Sequence, residues 1–358
     1  MAERLAIAAA TFGVAAGLSA LFVWLAIPLS RRFGLVDHPA PRRAHPGTMP
    51  RGGGIPMVLA FVAAVGLTFW LGVERYSEEI HRVILLLMAA GLLGLVMVYD
   101  DAIGMSPGIK LLCQTCAALI VVLPRFEGSG RGIVIETFNA PVGDGVVALP
   151  LGVGVVVTVL WIVGMINTVN LLDGLDGLAG SVTLVASIIL FVHTFLHPQF
   201  TISLLAAALG GAVTGFLLFN WHPARIIMGD AGASFLGLSL AVISIIGGAK
   251  IATALLALGL PILDVVWLIL YRGVHRRSPF VADRSHLHHR LSDAGLHPPD
   301  VVAYVAGLSL VFGLAALLLP TREWKAVAIG LLAMILVVTV AVLARRERRL
   351  ARDRPTVT

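Results

Sequence analysis

Charged residues are scarce in this chain: they make up 13% of its 358 residues, against 58% hydrophobic residues and a mean hydropathy of +0.95. This balance lies far outside the range of a soluble globular domain and indicates that the bilayer is the solvent. Cysteine is almost absent, and Cys113 and Cys116 lie one helical turn apart in an apolar stretch without other metal ligands. The pair is therefore predicted to pack in a helix and not to form a metal or redox site.

Long apolar runs account for most of the chain. A transmembrane helix needs about 20 predominantly apolar residues, and open strands cannot satisfy their backbone in lipid. The sequence therefore predicts an all-α integral membrane protein, a polytopic bundle of about eleven transmembrane helices, with a transmembrane domain over 1–344 and a basic tail over 345–358. The runs cover residues 5–29, 55–73, 82–99, 109–123, 151–167, 178–196, 200–219, 233–248, 252–270, 300–319 and 326–344.

Basic residues predict the orientation of the bundle. Five arginines follow the first run, five follow the ninth, and six more lie in the C-terminal tail. Because short cytoplasmic loops are enriched in Lys and Arg, loops after odd-numbered runs are predicted to face the cytoplasm. The N-terminus would then lie outside the plasma membrane and the C-terminus inside. The net charge of +6 is explained by this rule and by anionic lipid headgroups, and not by nucleic-acid binding.

Five polar segments interrupt the apolar pattern, and all five fall on the predicted cytoplasmic side. The opposite side carries residues 124–150, which indicate two short strands around a Gly/Pro turn, a small hairpin without evident chemistry. The five polar segments are residues 49–54, 100–101, 167–176, 229–230 and 286–289.

Four aspartates in or beside these runs are candidate functional residues, because acidic groups at a membrane boundary are costly unless water or a metal solvates them. Asp100 and Asp101 directly follow an apolar run, and alone they would fit a solvated turn. Asp230 is a hard carboxylate suited to Mg²⁺, among glycines that permit close backbone approach, although an isolated Gly-Asp also fits a turn. Asp264 lies inside the ninth run and predicts either function or pairing with an arginine such as Arg272.

A second polar series consists of Asn167, Asn170, Asp173 and Asp176. Each three-residue step drifts by about 60° around a helix, so an unbroken helix would place the first and last members on opposite faces. We therefore expect the helix to end near Gly174 or Gly177, which gathers these groups around one pocket. Helix capping is the alternative, but four polar groups exceed what a cap needs.

Three histidines, His286, His288 and His289, follow the ninth run. Zinc binding is not favoured, because no helical i, i+4 pair and no nearby Cys completes a site. Near neutral pH, His together with Arg290 suits phosphate oxygens. A solvated basic loop is the alternative.

In this order, the segments resemble those of the polyprenyl-phosphate N-acetylhexosamine-1-phosphate transferases, over nearly the whole chain. Residues 50–53 are similar to the family's Pro-x-x-Gly-Gly loop. Residues 100–101, with Lys110 and Gln114, look like its Asp-Asp signature and the Lys/Gln helix that follows.

The later motifs extend the resemblance. Residues 167–180 match Asn-x-x-Asn-x-x-Asp-Gly-x-Asp-Gly-Leu, and residues 228–237 match Met-Gly-Asp-x-Gly-Ser-x-x-Leu-Gly, with Ala233 in place of the more usual Ser. Residues 261–264 resemble a further signature. The His-Leu-His-His-Arg of residues 286–290 is similar to the branch that uses UDP-N-acetylglucosamine (UDP-GlcNAc), whereas the muramoyl-pentapeptide branch carries three consecutive histidines.

The resemblance implies transfer of GlcNAc-1-phosphate from UDP-GlcNAc to polyprenyl (undecaprenyl) phosphate, with release of UMP, to initiate cell-surface glycan synthesis. It implies a Mg²⁺ cofactor, with Mn²⁺ as the alternative ion, held by Asp230 and Asp101. The implied catalytic residues are Asp100, Asp101, His286, His288 and His289. The implied substrate-binding residues are Arg51, Gly53, Lys110, Asn167, Asn170, Asp173, Asp176, Asp264 and Arg290.

Further expectations concern the mechanism and the partners. A phosphate monoester has a second pKa of about 6 and is largely dianionic at neutral pH, so direct attack by the lipid phosphate is expected over an aspartyl-phosphate intermediate. Family members of known structure suggest a homodimer. The alternatives are phospho-N-acetylmuramoyl-pentapeptide transfer and an ion-coupled secondary transporter, since intramembrane Asp and broken helices also mark ion sites. A transporter needs polar groups near the midplane, whereas here they crowd one face.

Overall fold

The protein is a bundle of long α-helices. A computed structural model describes residues 1–37, 47–127, 131–139, 145–248, 255–274 and 286–352. The helices of these residues are α1 (Ala2–Arg32), α2 (Gly54–Trp70), α3 (Ser77–Ile103), α4 (Pro107–Val122), α5 (Leu151–Leu172), α6 (Leu178–Leu196), α7 (Phe200–Asn220), α8 (Gly229–Ile246), α9 (Gly259–Val274), α10 (Leu287–Asp293), α11 (Pro298–Leu318) and α12 (Arg322–Arg352).

Within the described residues, nine helices are long and apolar enough to cross a membrane. The helix α2 is apolar but has 17 residues, and α9 has 16. The prediction of an all-α polytopic membrane protein is therefore confirmed, and the number of eleven spans stays a prediction. The predicted boundary between residues 344 and 345 falls inside α12, which continues without a break to Arg352. The last six residues of the predicted tail lie outside the described part of the chain.

Three helices extend beyond their apolar runs into the predicted polar segments. The helix α3 continues to Ile103 and α5 continues to Leu172, while α8 already begins at Gly229. Asp100 and Asp101 therefore lie in the last turn of α3, and Asp230 lies in the first turn of α8. The helices continue past the apolar runs because hydropathy falls where polar groups appear, although the backbone hydrogen bonds continue.

Two small antiparallel ribbons lie at opposite ends of the bundle. At one end, β1 (Val36–Asp37) pairs with β2 (Met49–Pro50). At the other end, β3 (Thr137–Asn139) pairs with β4 (Val146–Ala148), which confirms the predicted hairpin, and its turn at 140–144 lies outside the described residues. We call these the site end and the hairpin end.

The helix α8 is the most enclosed span. Of its most apolar stretch 89% is buried, against 17% for α1 and 22% for α12. It packs between α3 and α5 and also contacts α2, where the rings of Phe61 and Phe235 meet edge to face at 5.4 Å. A span of this kind is surrounded by protein and not by lipid.

The crossing of α2 over α8 depends on glycine. A Cβ atom at Gly54 would lie 2.2 Å from the backbone nitrogen of Gly232 and 2.4 Å from its Cα. No side chain fits between two backbones at this separation. The glycines therefore bring the first turn of α2 directly against the first turn of α8, which carries Asp230.

Candidate active site

Three carboxylates and two cations converge at the site end. Asp100, Asp101 and Asp230 each place one oxygen so that all three lie within 4.8 Å of one another. Lys110, from the first turn of α4, and Arg51, from the segment before α2, contact the same carboxylates. The structure therefore brings the Arg51, Asp-Asp, Lys110 and Gly-Asp segments together in one cluster.

Lys110 bridges two of the carboxylates. Its Nζ lies 2.5 Å from Oδ2 of Asp100 and 2.5 Å from Oδ2 of Asp230. Asp100 is 4% exposed, and its Oδ1 also accepts a hydrogen bond of 2.6 Å from the backbone N–H of Met105. A buried carboxylate is stable only when it is paired and hydrogen-bonded, so Asp100 depends on a cation at this position.

Asp101 supports the start of α8. Its Oδ1 accepts the backbone N–H of Asp230 at 2.9 Å and lies 2.7 Å from Nη2 of Arg51, while its Oδ2 accepts the N–H of Ala231 at 3.3 Å. A carboxylate is favourable at a helix N-terminus, where N–H groups are unpaired. Gly229 has a φ of +76°, and a Cβ there would lie 2.6 Å from Asp101 Oδ2. Asp101 thus fixes the orientation of Asp230.

Backbone pairing brings Arg51 to this cluster. Arg51 donates its N–H to Leu35 O at 2.8 Å, and the carbonyl of Pro50 accepts the N–H of Ile227 at 2.9 Å. The backbone N–H of Gly53 donates a hydrogen bond to the carbonyl oxygen of Ile227 at 3.0 Å. A Cβ atom at Gly53 would lie 2.5 Å from Cε2 of Phe216. The structure therefore gives Gly53, predicted as a substrate-binding residue, a packing role.

A cavity of about 170 Å³ opens beside the carboxylate cluster. Asn170 and Asp173 contribute to it, as the sequence predicts for members of the polar series. Desolvation, followed by the negative charge of Asp230, raises the pKa of Asp173 well above its usual range. The lining residues are Asp37, Arg51, Asn170, Asp173, Ile227, Gly229 and Asp230. Carboxylates and a guanidinium around one cavity suit a phosphate ester together with a cation.

Asp37 is a lining residue that sequence reasoning missed. It is 8% exposed, and its Oδ1 lies 4.0 Å from Nη1 of Arg51. Its strand β1 has two residues, too few for any periodicity to reveal it. The available signal was an acidic residue in an arginine-rich loop, shortly before the Pro-Arg-Gly-Gly segment.

The outer members of the polar series fasten neighbouring elements. Nδ2 of Asn167 donates to Oε1 of Gln114 on α4 at 2.7 Å. Oδ2 of Asp176 lies 2.9 Å from Nδ1 of His222 and accepts the N–H of Ala224 at 3.1 Å, so it holds the connection between α7 and α8. Neither residue lines the cavity. Their role in substrate binding stays a prediction, and in the structure both residues make these contacts to neighbouring elements.

Asp264 holds the histidine segment. Its Oδ2 lies 3.0 Å from Nδ1 of His286, and its Oδ1 accepts the N–H of Leu287 at 3.1 Å, at the start of α10. Asp264 and His286 are 8% and 7% exposed. The sequence predicted that Asp264 either has a function or pairs with an arginine such as Arg272. In the structure its carboxylate contacts the histidine segment, through His286 and the backbone of Leu287. Asp264 is a positioning residue in this structure.

The histidine segment packs against the turn after α5. His288 is 3% exposed, and its Nε2 has no hydrogen-bond partner among the described residues. A Cβ at Gly174 would lie 2.9 Å from that Nε2. Burial, followed by the charges of His289 and His286, lowers the pKa of His288 to about 3. His288 is therefore neutral near pH 7, while His289 and Arg290 lie half-buried on the same short helix.

The donor chemistry of the cluster fits Mg²⁺. Mg²⁺ prefers oxygen ligands and one or two carboxylates, and it completes its shell with water and substrate phosphates. Asp100, Asp101 and Asp230 offer only carboxylate oxygens, and they are the group of metal-ligand type that the described residues contain. Asp100 joins the two ligands that the sequence predicted.

Comparison with known proteins agrees with this site. The chain matches the family model of glycosyl transferase family 4 over residues 83–248, which include all three clustered aspartates. A probable undecaprenyl-phosphate N-acetylglucosaminyl 1-phosphate transferase of Bacillus subtilis is 30% identical, over 84% of this chain and 83% of the relative. A decaprenyl-phosphate N-acetylglucosaminephosphotransferase of Mycobacterium tuberculosis is also 30% identical, over 89% and 84%. An undecaprenyl-phosphate alpha-N-acetylglucosaminyl 1-phosphate transferase of Salmonella typhi is 26% identical, over 77% and 74%. The chain therefore belongs to glycosyl transferase family 4, among the polyprenyl-phosphate N-acetylhexosamine-1-phosphate transferases that its motifs resemble.

Proposed function

We propose that this protein transfers GlcNAc-1-phosphate from UDP-GlcNAc to a polyprenyl phosphate and releases UMP. The observation that carries the proposal is the cluster of Asp100, Asp101, Asp230, Lys110 and Arg51 beside a polar cavity at one end of a membrane bundle. Phosphoryl transfer requires positioning and neutralisation of charge more than covalent help. The cluster supplies both.

The site end would face the cytoplasm, where the UDP-sugar is available. The basic residues of the first loop and of the C-terminal tail support this orientation. The prenyl chain of the acceptor would stay in the bilayer, and its phosphate would lie at the membrane surface. A site at the end of the helices is suited to join a lipid and a soluble nucleotide.

We propose Mg²⁺ as the cofactor, with Asp230, Asp100 and Asp101 as the residues that would hold it. When bound, the ion would neutralise charge on the diphosphate of the donor. Arg51 lies 3.6 Å from Oδ1 of Asp230 and 2.7 Å from Oδ1 of Asp101, within reach of the same region. Its guanidinium would orient phosphate oxygens through paired hydrogen bonds.

The reaction would proceed by direct attack. An oxygen of the acceptor phosphate forms a bond to the phosphorus that carries the sugar, and the bond from that phosphorus to the oxygen of UMP breaks. UMP leaves with the electron pair. The acceptor is already largely dianionic near pH 7, because its second pKa is about 6. No aspartate is therefore required as a base, and UMP should not be released when the acceptor is absent.

The donor would be UDP-GlcNAc rather than UDP-muramoyl-pentapeptide. The relatives named above are N-acetylglucosaminyl-phosphate transferases, and the segment 286–290 is His-Leu-His-His-Arg without three consecutive histidines. Asn170 and Asp173 line the cavity and would form hydrogen bonds to the nucleotide or sugar. A site that hydrogen-bonds a substrate group discriminates strongly against analogues that lack it.

A labelling experiment tests the proposal. Purified protein is incubated with radiolabelled UDP-GlcNAc, polyprenyl phosphate and Mg²⁺, and label is then extracted into organic solvent. We expect label in the lipid for wild type and for Asp300→Asn, a control at an exposed aspartate in the first turn of α11. We expect none for Asp230→Asn. Wild-type turnover by Asp230→Asn would remove Asp230 from the site.

Two further results would redirect the proposal. In a competition of donors at equal concentration, preferential transfer from UDP-muramoyl-pentapeptide would change the donor and keep the reaction class. Ion-driven accumulation of a solute in vesicles, without label in the lipid, would instead support the transporter.

A further inference from the structure

Lys110 contacts one carboxylate oxygen each of Asp100 and Asp230, two of the residues that would hold a metal ion. Its Nζ is 2.5 Å from Oδ2 of Asp100 and 2.5 Å from Oδ2 of Asp230. A Mg²⁺ ion binds oxygens at about 2.0–2.1 Å. An ion that bridges the same two oxygens would consequently come within a few ångströms of the ammonium nitrogen, on whichever side it binds.

The two cations would repel each other at that separation. A single charge beside a double charge in a partly buried site costs several times the interaction of two surface charges. The other cation of the cluster, Arg51, lies 2.7 Å from Asp101 Oδ1 and 3.6 Å from Asp230 Oδ1, whereas Lys110 lies 2.5 Å from both Asp100 and Asp230. Lys110 is therefore the cation that competes directly for the Asp100 and Asp230 pair.

We infer that Lys110 and the divalent ion exchange places: the ammonium neutralises Asp100 and Asp230 until the ion binds, and the ion then displaces it. The inference deepens the proposed function and rests on it, because the displaced ammonium would pair with phosphate oxygens of the substrate. Lys110 is suited to such movement. Its side chain is 27% exposed, and a lysine carries its charge at the end of four flexible methylene groups.

The exchange has a consequence for stability and for affinity. Without an ion, Lys110 offsets charge repulsion among three clustered carboxylates, so it stabilises the fold. With an ion, the same ammonium must leave its partners, so it weakens metal binding. A variant without the ammonium should consequently bind a divalent ion more tightly, although it lacks a residue of the active site.

Substrate-free metal binding tests the inference without reference to activity. Mn²⁺ is titrated into purified, detergent-solubilised protein, and free Mn²⁺ is followed by its electron paramagnetic resonance signal. We expect Lys110→Met to bind Mn²⁺ at least about tenfold more tightly than wild type. Lys110→Arg keeps a competing charge and should stay near wild type. Lys325→Met makes the same change of net charge at the start of α12, at the hairpin end, and should match wild type.

A second measurement uses thermal unfolding. In EDTA, Lys110→Met should unfold at a lower temperature than wild type, and Mg²⁺ should raise its midpoint by more than it raises that of wild type. If Lys110→Met is not recovered in folded form, Lys110→Gln carries both measurements.

The outcomes separate this inference from the proposed function. If wild type binds Mn²⁺ through Asp230, as shown by loss in Asp230→Asn, and Lys110→Met binds it equally or more weakly, the exchange is wrong and the metal site stands. If neither wild type nor Lys110→Met binds Mn²⁺, the proposal of a metal site is wrong, and the inferred exchange is wrong as well.

Discussion

Asp264 and His286 form a buried pair whose two members should act as one unit. The carboxylate holds both the imidazole and the backbone N–H of Leu287. We predict that Asp264→Asn lowers kcat/KM, because the ring of His286 loses its carboxylate partner and its fixed orientation. In a His286→Gln background, the same substitution should have little further effect.

A double-mutant cycle on kcat/KM measures this coupling. Residues in direct contact couple by about 0.5–3 kcal/mol. Strictly additive losses would show that Asp264 acts independently of His286, for example as a direct ligand of the substrate. Thermal midpoints of all four proteins control for loss of fold.

His288 should make the protein sensitive to acid. Burial lowers the pKa of His288 from 6.5 to about 3. Below pH 6.5, His288 therefore becomes protonated in the unfolded chain but stays neutral in the folded chain. Stability contributed by this group is complete above pH 6.5 and is lost as the pH falls. Between pH 7 and pH 5.5 the expected loss is roughly 1 kcal/mol.

The measurement compares unfolding of wild type and His288→Gln in detergent at both pH values. The variant should lose less stability on acidification by about that amount. His297→Gln removes an exposed histidine near the same end and should retain the full pH dependence. An equal pH dependence in wild type and His288→Gln would contradict the prediction.

At the level of single residues, sequence spacing predicted the site only in part. From the three-residue repeat we expected all four members around one pocket, and Asn170 and Asp173 do line one cavity. The repeat did not reveal that Asn167 contacts Gln114 or that Asp176 contacts His222. A drift of about 60° per step separates the members of such a series. Which of them meets a neighbour depends on packing partners distant in sequence, and these are not visible in a local pattern.

The helix ends show a second limit of sequence reasoning. Three of the extensions beyond an apolar run carry polar site residues: the ends of α3 and α5 and the start of α8. Hydropathy reports whether a segment can face lipid, whereas a helix surrounded by other helices continues through polar residues if its backbone bonds are kept. At these three ends, residues of the polar segments therefore lie within helices that hydropathy alone ended too early.

The crossing of α2 and α8 should be sensitive to one methyl group. We predict that Gly54→Ala destabilises the protein by about 1–3 kcal/mol and reduces transfer, because the new Cβ overlaps the backbone of Gly232. Gly66→Ala is the matched control, since it lies on the same helix and, among the described residues, no atom of another element comes within 4 Å of the added methyl. Thermal midpoint and lipid labelling are measured for both. Equal behaviour of the two variants would show that the crossing tolerates displacement.

For the whole molecule, the sidedness of the polar segments was predictable because the bilayer imposes it. Helices that cross the membrane leave two surfaces, and alternate connections must share one of them. The five polar segments consequently meet at one end, with the hairpin at the other. The contacts within the cluster, such as Lys110 on Asp230, required the three-dimensional structure.

The orientation itself stays a prediction that labelling can test. In a background with Cys113→Ser and Cys116→Ser, a cysteine at the exposed hairpin residue Val147 should react with a membrane-impermeant maleimide in intact cells. A cysteine at His297, before α11, should react only after permeabilisation. The opposite pattern would reverse the predicted topology and place the site outside.

The enclosure of α8 has a consequence for how the enzyme responds to its membrane. Bilayers of different thickness tilt or strain the helices that touch lipid, and α1 and α12 are such helices. The helix that carries Asp230 is instead surrounded by protein and is joined to its neighbours by backbone contacts at Gly54 and by the Asp101 carboxylate. Turnover should therefore vary little with acyl chain length, as long as the acceptor phosphate can reach the surface. The outer helices would adjust to a change of bilayer thickness, while the position of Asp230 on the enclosed helix α8 stays the same.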